Sequence, residues 1–72
     1  MSSQIQAVLF EKNLYNHNDA KEWLKRNKFK FISYRLTSKY RRYRIIEPNY
    51  NKYIYRIQHK ANGIAFILQL PK

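Results

Sequence analysis

The chain has 72 residues, room for one domain, and carries 15 Lys and Arg against 4 Asp and Glu, a net charge of +11. It has no cysteine, which excludes disulfides and thiolate metal sites and fits a reducing compartment. No stretch reaches the roughly 18 apolar residues of a membrane-spanning helix, and the polar start Met1 to Gln6 lacks the basic-then-apolar order of a secretion signal, so an intracellular protein without a membrane span is expected.

Ile5 to Phe10 is a short apolar run that predicts a strand, and Glu11 to Tyr15 is a polar connection. Asn16 has the chemistry of a helix N-cap, with Asp19 placed near the positive helix terminus. Ala20, Trp23 and Leu24 then follow at i, i+3, i+4 spacing and form one apolar stripe. Lys21, Lys25, Arg26 and Lys28 make the other face basic, and the helix should stop near Asn27 or Lys28. From Phe29 the period changes to two. Phe29 to Thr37 reads as a strand, Thr37-Ser38-Lys39 as its turn and Tyr40 to Glu47 as the next strand, ended by Pro48. Lys52 to Gln58 reads as another strand. Ala61-Asn62-Gly63 is a hairpin turn, and Ile64 to Leu70 is the last strand, closed by Pro71.

Strand, helix, then four strands is an α+β pattern. Residues 1–72 are expected to form a single small basic domain with one mainly antiparallel sheet of about five strands and a single helix packed on one face.

The segment Tyr40 to Ile46 carries the functional signal. As a strand it points Arg41, Tyr43 and Ile45 to one face and Arg42, Arg44 and Ile46 to the other. The next strand alternates Tyr53, Tyr55 and Ile57 against Lys52, Ile54, Arg56 and Gln58. With these two strands side by side, Arg42, Arg44, Lys52 and Arg56 would form a continuous basic patch on the open face. Arg35 joins it if Ile32, Tyr34 and Leu36 face the core. Arginine forks match phosphate oxygens, and neutralising phosphates releases condensed counterions. The helix offers a secondary basic face through Lys21, Lys25, Arg26 and Lys28. The bland readings are a solvated sheet surface, tyrosines that only fill a core, and a genome rich in A/T, which would favour Lys, Asn, Ile, Tyr and Phe. The last does not explain the shortage of acids or the clustering of arginines, and solubility does not require charges of one sign.

Catalytic machinery is not expected. Glu11, Asp19, Glu22 and Glu47 are scattered, and His17 and His59 are isolated. Asn16-His17-Asn18-Asp19 has a superficial likeness to nuclease motifs, but a helix start explains it better. With a single glycine, Gly63, there is no phosphate-binding glycine loop. The expectation is a non-enzymatic protein with no metal, cofactor or small-molecule substrate. The last strand is apolar on both faces, so it is either central, beside the equally apolar Val8-Leu9-Phe10 run, or the seam of a homodimer.

Val8-Leu9-Phe10, Ala20 with Trp23-Leu24, Phe29-Lys30, Tyr40 to Arg44 and Gly63-Ile64 together resemble segments of short basic proteins of giant DNA viruses, Marseillevirus-like ones among them, and of phage-associated proteins. In that pattern Tyr40, Arg42, Tyr43 and Arg44 match a Tyr-x-Arg-aromatic-Arg segment, while Asn16 replaces a helix-start Thr and Lys28 a helix-end Gly. The resemblance implies a virion-packaged or genome-associated protein, present in virus particles and infected host cells.

Charge and pattern together predict a DNA-binding packaging or accessory protein that contacts phosphates through Arg35, Arg42, Arg44, Lys52 and Arg56 and acts as a homodimer. The alternatives are a binder of RNA or single strands stacking bases on Tyr40, Tyr43, Tyr53 or Tyr55, and a structural or host-interaction protein that meets an acidic partner.

Overall fold

Five strands and one helix form in the expected order in the computed structural model, which describes residues 3–72. Met1 and Ser2, part of the polar start, lie outside the described residues. The elements are β1 (Gln4–Glu11), α1 (His17–Arg26), β2 (Ser33–Leu36), β3 (Tyr40–Arg44), β4 (Tyr53–His59) and β5 (Ile64–Pro71), with a short 3-10 turn, Ala61–Gly63, before β5. The strands make one sheet in the order β2-β3-β1-β5-β4, and every neighbouring pair is antiparallel. This is the α+β fold expected, with its single helix on one face of the sheet. No helix is long and apolar enough to cross a membrane among the described residues.

β1 takes the centre because it is apolar on both faces. Val8 and Phe10 point toward α1, while Ala7 and Leu9 point away, and all four are buried. β5 has the same two-sided character and lies between β1 and β4. It is central beside Val8-Leu9-Phe10, as one of the two readings of its apolar run expected, and has no free edge along Ile64–Pro71 for strand pairing with a second chain. The Asn62-Gly63 turn forms with both residues at left-handed φ, 65° and 76°. A Cβ on Gly63 would stand 2.5 Å from Glu11 Oε2 and 2.7 Å from Leu14 Cδ1, both ends of exposed side chains that can swing aside, so it is the left-handed backbone that favours glycine there.

The helix begins as its sequence predicts. Asn16 Oδ1 accepts from the Asp19 N–H at 2.8 Å, and Ala20 and Leu24 are buried against Val8, Phe10, Tyr43 and Ile64. Its end is a Schellman motif: the Phe29 N–H reaches Leu24 O at 2.8 Å and the Lys28 N–H reaches Lys25 O at 3.1 Å. The motif places its C′ residue in the left-handed region, and that residue is Lys28, at φ 63°. A side chain there costs about 1 kcal/mol that glycine would not incur.

Three expectations about the strands are corrected. Phe29 to Thr37 is a strand only over Ser33–Leu36. The Schellman turn folds Phe29 back toward Leu24, and Phe31 is drawn under the sheet edge to meet Tyr43 edge-on at 5.1 Å. The strand from Tyr40 ends at Arg44 rather than Glu47, because β1 carries a bulge at Gln6. The Gln6 carbonyl accepts from both Ile45 N–H and Ile46 N–H, at 2.8 and 3.1 Å, and its buried amide donates to Ile46 O at 2.8 Å. That clamp turns the chain out of the ladder.

The third correction matters most. β3 and β4, consecutive in the last four strands, are not neighbours: β1 and β5 lie between them. The chain crosses the end of the sheet between Ile45 and Lys52, held where the Asn49 N–H donates to the Tyr55 hydroxyl at 2.7 Å.

Candidate nucleic-acid interface

Directly paired residues of antiparallel strands share a face, so the register assigns each cation. Arg35 on β2 stands opposite Arg42 on β3, which stands opposite Leu9 on β1. Arg44 lies two residues along, opposite Ser33 and Ala7. Ala7 and Leu9 point away from α1, so Arg35, Arg42 and Arg44 converge on the open face, where they line a depression of about 220 Å³ with Ser33 and Tyr34. The alternation read from Tyr40 to Ile45 is correct: Tyr43 is buried under α1 and Ile45 packs against the same core.

Arg56 and Lys52 do not join them. Arg56 stands opposite Leu68, on the α1 side of the sheet, and β4 is the far edge strand. Lys52 precedes β4 at that same distant edge, where its carbonyl accepts from the Lys72 N–H at 3.0 Å. The expected patch of five is therefore a cluster of three. Tyr53, Tyr55 and Ile57, expected as the apolar face opposite the basic patch, lie on the open face, with Ile57 in register with Ile67 and Ala7. The core cluster under α1 draws on β1, β3 and β5 and takes in no residue of β4, so apolar residues on β4 do not report a core. Ile54 and Ile57, on opposite faces, are 41% and 49% exposed.

The electrostatics of the cluster are lopsided. Arg35 and Arg42 are like charges directly across a strand pair, an arrangement that costs stability. The Nε atoms of Arg42 and Arg44 are buried and find no hydrogen-bond partner within the protein. One carboxylate approaches: Glu47 Oε2 lies 3.8 Å from an Arg44 terminal nitrogen, and the Glu47 side chain is 75% exposed. A long, solvated pair of this kind contributes at most about 1 kcal/mol, and it is the one ion pair among the described residues. The cluster keeps most of its charge.

Of the tyrosines considered for base stacking, Tyr43 is unavailable, being wholly buried. It is instead the polar pin of the core. Its hydroxyl lies 2.8 Å from His17 Nδ1, and its ring packs on those of Phe10, Phe31, Tyr34 and His17. Burial, then the neighbouring Tyr34 phenol, push the Tyr43 pKa from 10.0 up to about 12, with Arg41 pulling the other way. A pKa raised on folding contributes stability that is complete below the unfolded value and is lost as pH climbs through the folded one. Stability should thus fall between pH 10.0 and about 12, by about 2 kcal/mol from this group. Urea melts across that range would detect it, and Tyr43→Phe should remove that part of the slope.

The secondary basic face is partly assembled. Lys21, Lys25 and Lys28 line a groove of about 900 Å³ between α1 and the segment that follows it, while Arg26 does not. Lys30, Phe29 and Phe31 also line it. The sequence reading did not place these three in a site, because it put them in a strand. Their signal was the Phe-Lys-Phe alternation directly after a helix end. No three of the His, Asp and Glu side chains come together among the described residues as a metal site would require. Comparison of the chain with protein-family models, curated proteins and solved structures returns no match.

Proposed function

We propose that this protein binds DNA non-enzymatically through phosphate contacts made by Arg35, Arg42 and Arg44 on the open face of the sheet. One observation carries the reading: three guanidinium groups gathered on adjacent strands, two of them directly opposed, with a single loose carboxylate for company. A phosphate between opposed arginines relieves their repulsion and presents acceptor oxygens that match the guanidinium fork. The net charge of +11 adds long-range attraction to a polyanion. The resemblance to small basic virus proteins would set this binding in genome packaging inside the virus particle.

Mobility-shift titration on duplex DNA at several salt concentrations tests it. Three phosphate contacts predict that log K falls against log salt with a slope of about −3. An affinity indifferent to salt would overturn the proposal, and a pull-down that survives nuclease treatment would favour an acidic protein partner instead. Light scattering on the same samples decides the homodimer, for which the free edges are β2 and β4.

A further inference from the structure

The groove between α1 and residues 28–31 lies apart from the arginine cluster, and its construction is different. Its floor is apolar: Leu24 is buried and Phe29 and Phe31 are half-buried. Both rings are held in place by aromatic neighbours, Phe29 stacked parallel to Trp23 at 6.1 Å and Phe31 edge-on to Tyr43. Its rim is cationic: Lys21, Lys25, Lys28 and Lys30 are all exposed, against one acid, Glu22. On the helix, Lys21 and Lys25 are separated by about 6 Å along the axis and share a face. Lys28 completes the rim from a left-handed backbone position that strains any residue but glycine.

An apolar aromatic floor within a lysine rim is the arrangement that holds single-stranded nucleic acid, with bases on π-faces and the backbone on cations. We propose that this groove takes an unpaired stretch of nucleic acid, with a base against Phe29 and Phe31 and its flanking phosphates on the lysines. Duplex fits poorly, since its bases are stacked inward and out of reach. The proposal rests on the nucleic-acid reading above only for the class of ligand; the residues are separate. The protein would then hold duplex on its sheet and single strand at its helix, as suits a protein working where a genome is partly open.

The experiment uses the whole chain, with fluorescence of Trp23, the one tryptophan, as reporter beside Phe29. Oligo-dT and a duplex of equal length are titrated in parallel, with laurate as an anionic amphiphile of a different class. Oligo-dT is expected to quench Trp23. Phe31→Leu keeps an apolar side chain but removes the π-face, and should weaken oligo-dT about tenfold with duplex affinity little changed. Lys28→Gly should weaken oligo-dT severalfold while raising the melting temperature by several degrees, because strain is relieved. That variant guards against loss of binding through loss of fold. If neither change alters oligo-dT affinity, or if laurate quenches Trp23 and oligo-dT does not, the proposal fails. Arg42→Gln with Arg44→Gln separates the two sites. Loss of oligo-dT and duplex binding together in that variant would leave the sheet as the one site and sink the groove. Loss of oligo-dT binding in the groove variants alone, with duplex binding unmoved by the arginine changes, would keep the groove and sink the sheet.

Discussion

Phe10→Ala should destabilise the protein by about 3–5 kcal/mol, the usual cost of removing a buried aromatic ring. The ring is wholly buried on the central strand and meets three others edge-on: Tyr15 at 5.2 Å, Trp23 at 5.4 Å and Tyr43 at 5.5 Å. Those rings come from the connection before α1, from α1 itself and from β3, so no single element can close over the hole. A chain of this size has a total stability of about 4–11 kcal/mol, with little surplus from so small a core. The variant should therefore sit near or below its folding threshold at 37 °C, with a urea midpoint shifted far to the left and an unchanged m-value if it still folds cooperatively. Leu36→Ala is the counterpart, because Leu36 is 55% exposed on the short edge strand, and should cost under about 0.5 kcal/mol. Similar losses from the two would mean that the aromatic cluster does not organise the core.

The parts of this fold that were legible in the sequence are those fixed by neighbours in the chain. Asn16 as the cap, the Ala20-Trp23-Leu24 stripe, the Asn62-Gly63 turn and the facing of Tyr43 against Arg42 and Arg44 depend on a few consecutive residues, and each has the geometry its chemistry implies. Sheet order depends on contacts far apart in sequence. The two-sided apolar runs of β1 and β5 did point to their pairing, but nothing local announces that β1 also pairs with β3, and this insertion separated Lys52 and Arg56 from the cluster they were expected to complete. The bulge at Gln6 was hidden for a related reason, because a polar residue in an apolar run reads as an interruption rather than as an extra residue. Helix termination was legible in position but not in consequence. Lys28 adopts the conformation of a glycine it is not, and the turn it makes carries Phe29 out of the strand that its alternation suggested. The candidate sites divide the same way. Arg35, Arg42 and Arg44 could be found from period-two alternation on strands that do pair, whereas the groove needed the helix end.

Arg42→Gln with Arg44→Gln should flatten the salt dependence of duplex binding by about two units of slope, one for each phosphate contact removed. Glutamine keeps much of each aliphatic stem over Leu9 and Ala7, the buried residues opposite them in register, so the sheet should melt close to the parent. Affinity at low salt should drop by about two to four orders of magnitude, since two charge-assisted contacts are removed and each contributes about 1.5–3 kcal/mol before coupling is considered. Net charge alone would produce some loss, and a second pair of substitutions measures how much. Lys52→Gln with Arg56→Gln removes the same two charges from the far edge of the sheet, where one residue lies at the strand start and the other on the opposite face. If binding needs a place, the β3 pair must cost clearly more in slope than the β4 pair. If the two pairs cost the same, DNA responds to the total charge of the molecule and the arginine cluster is no site at all.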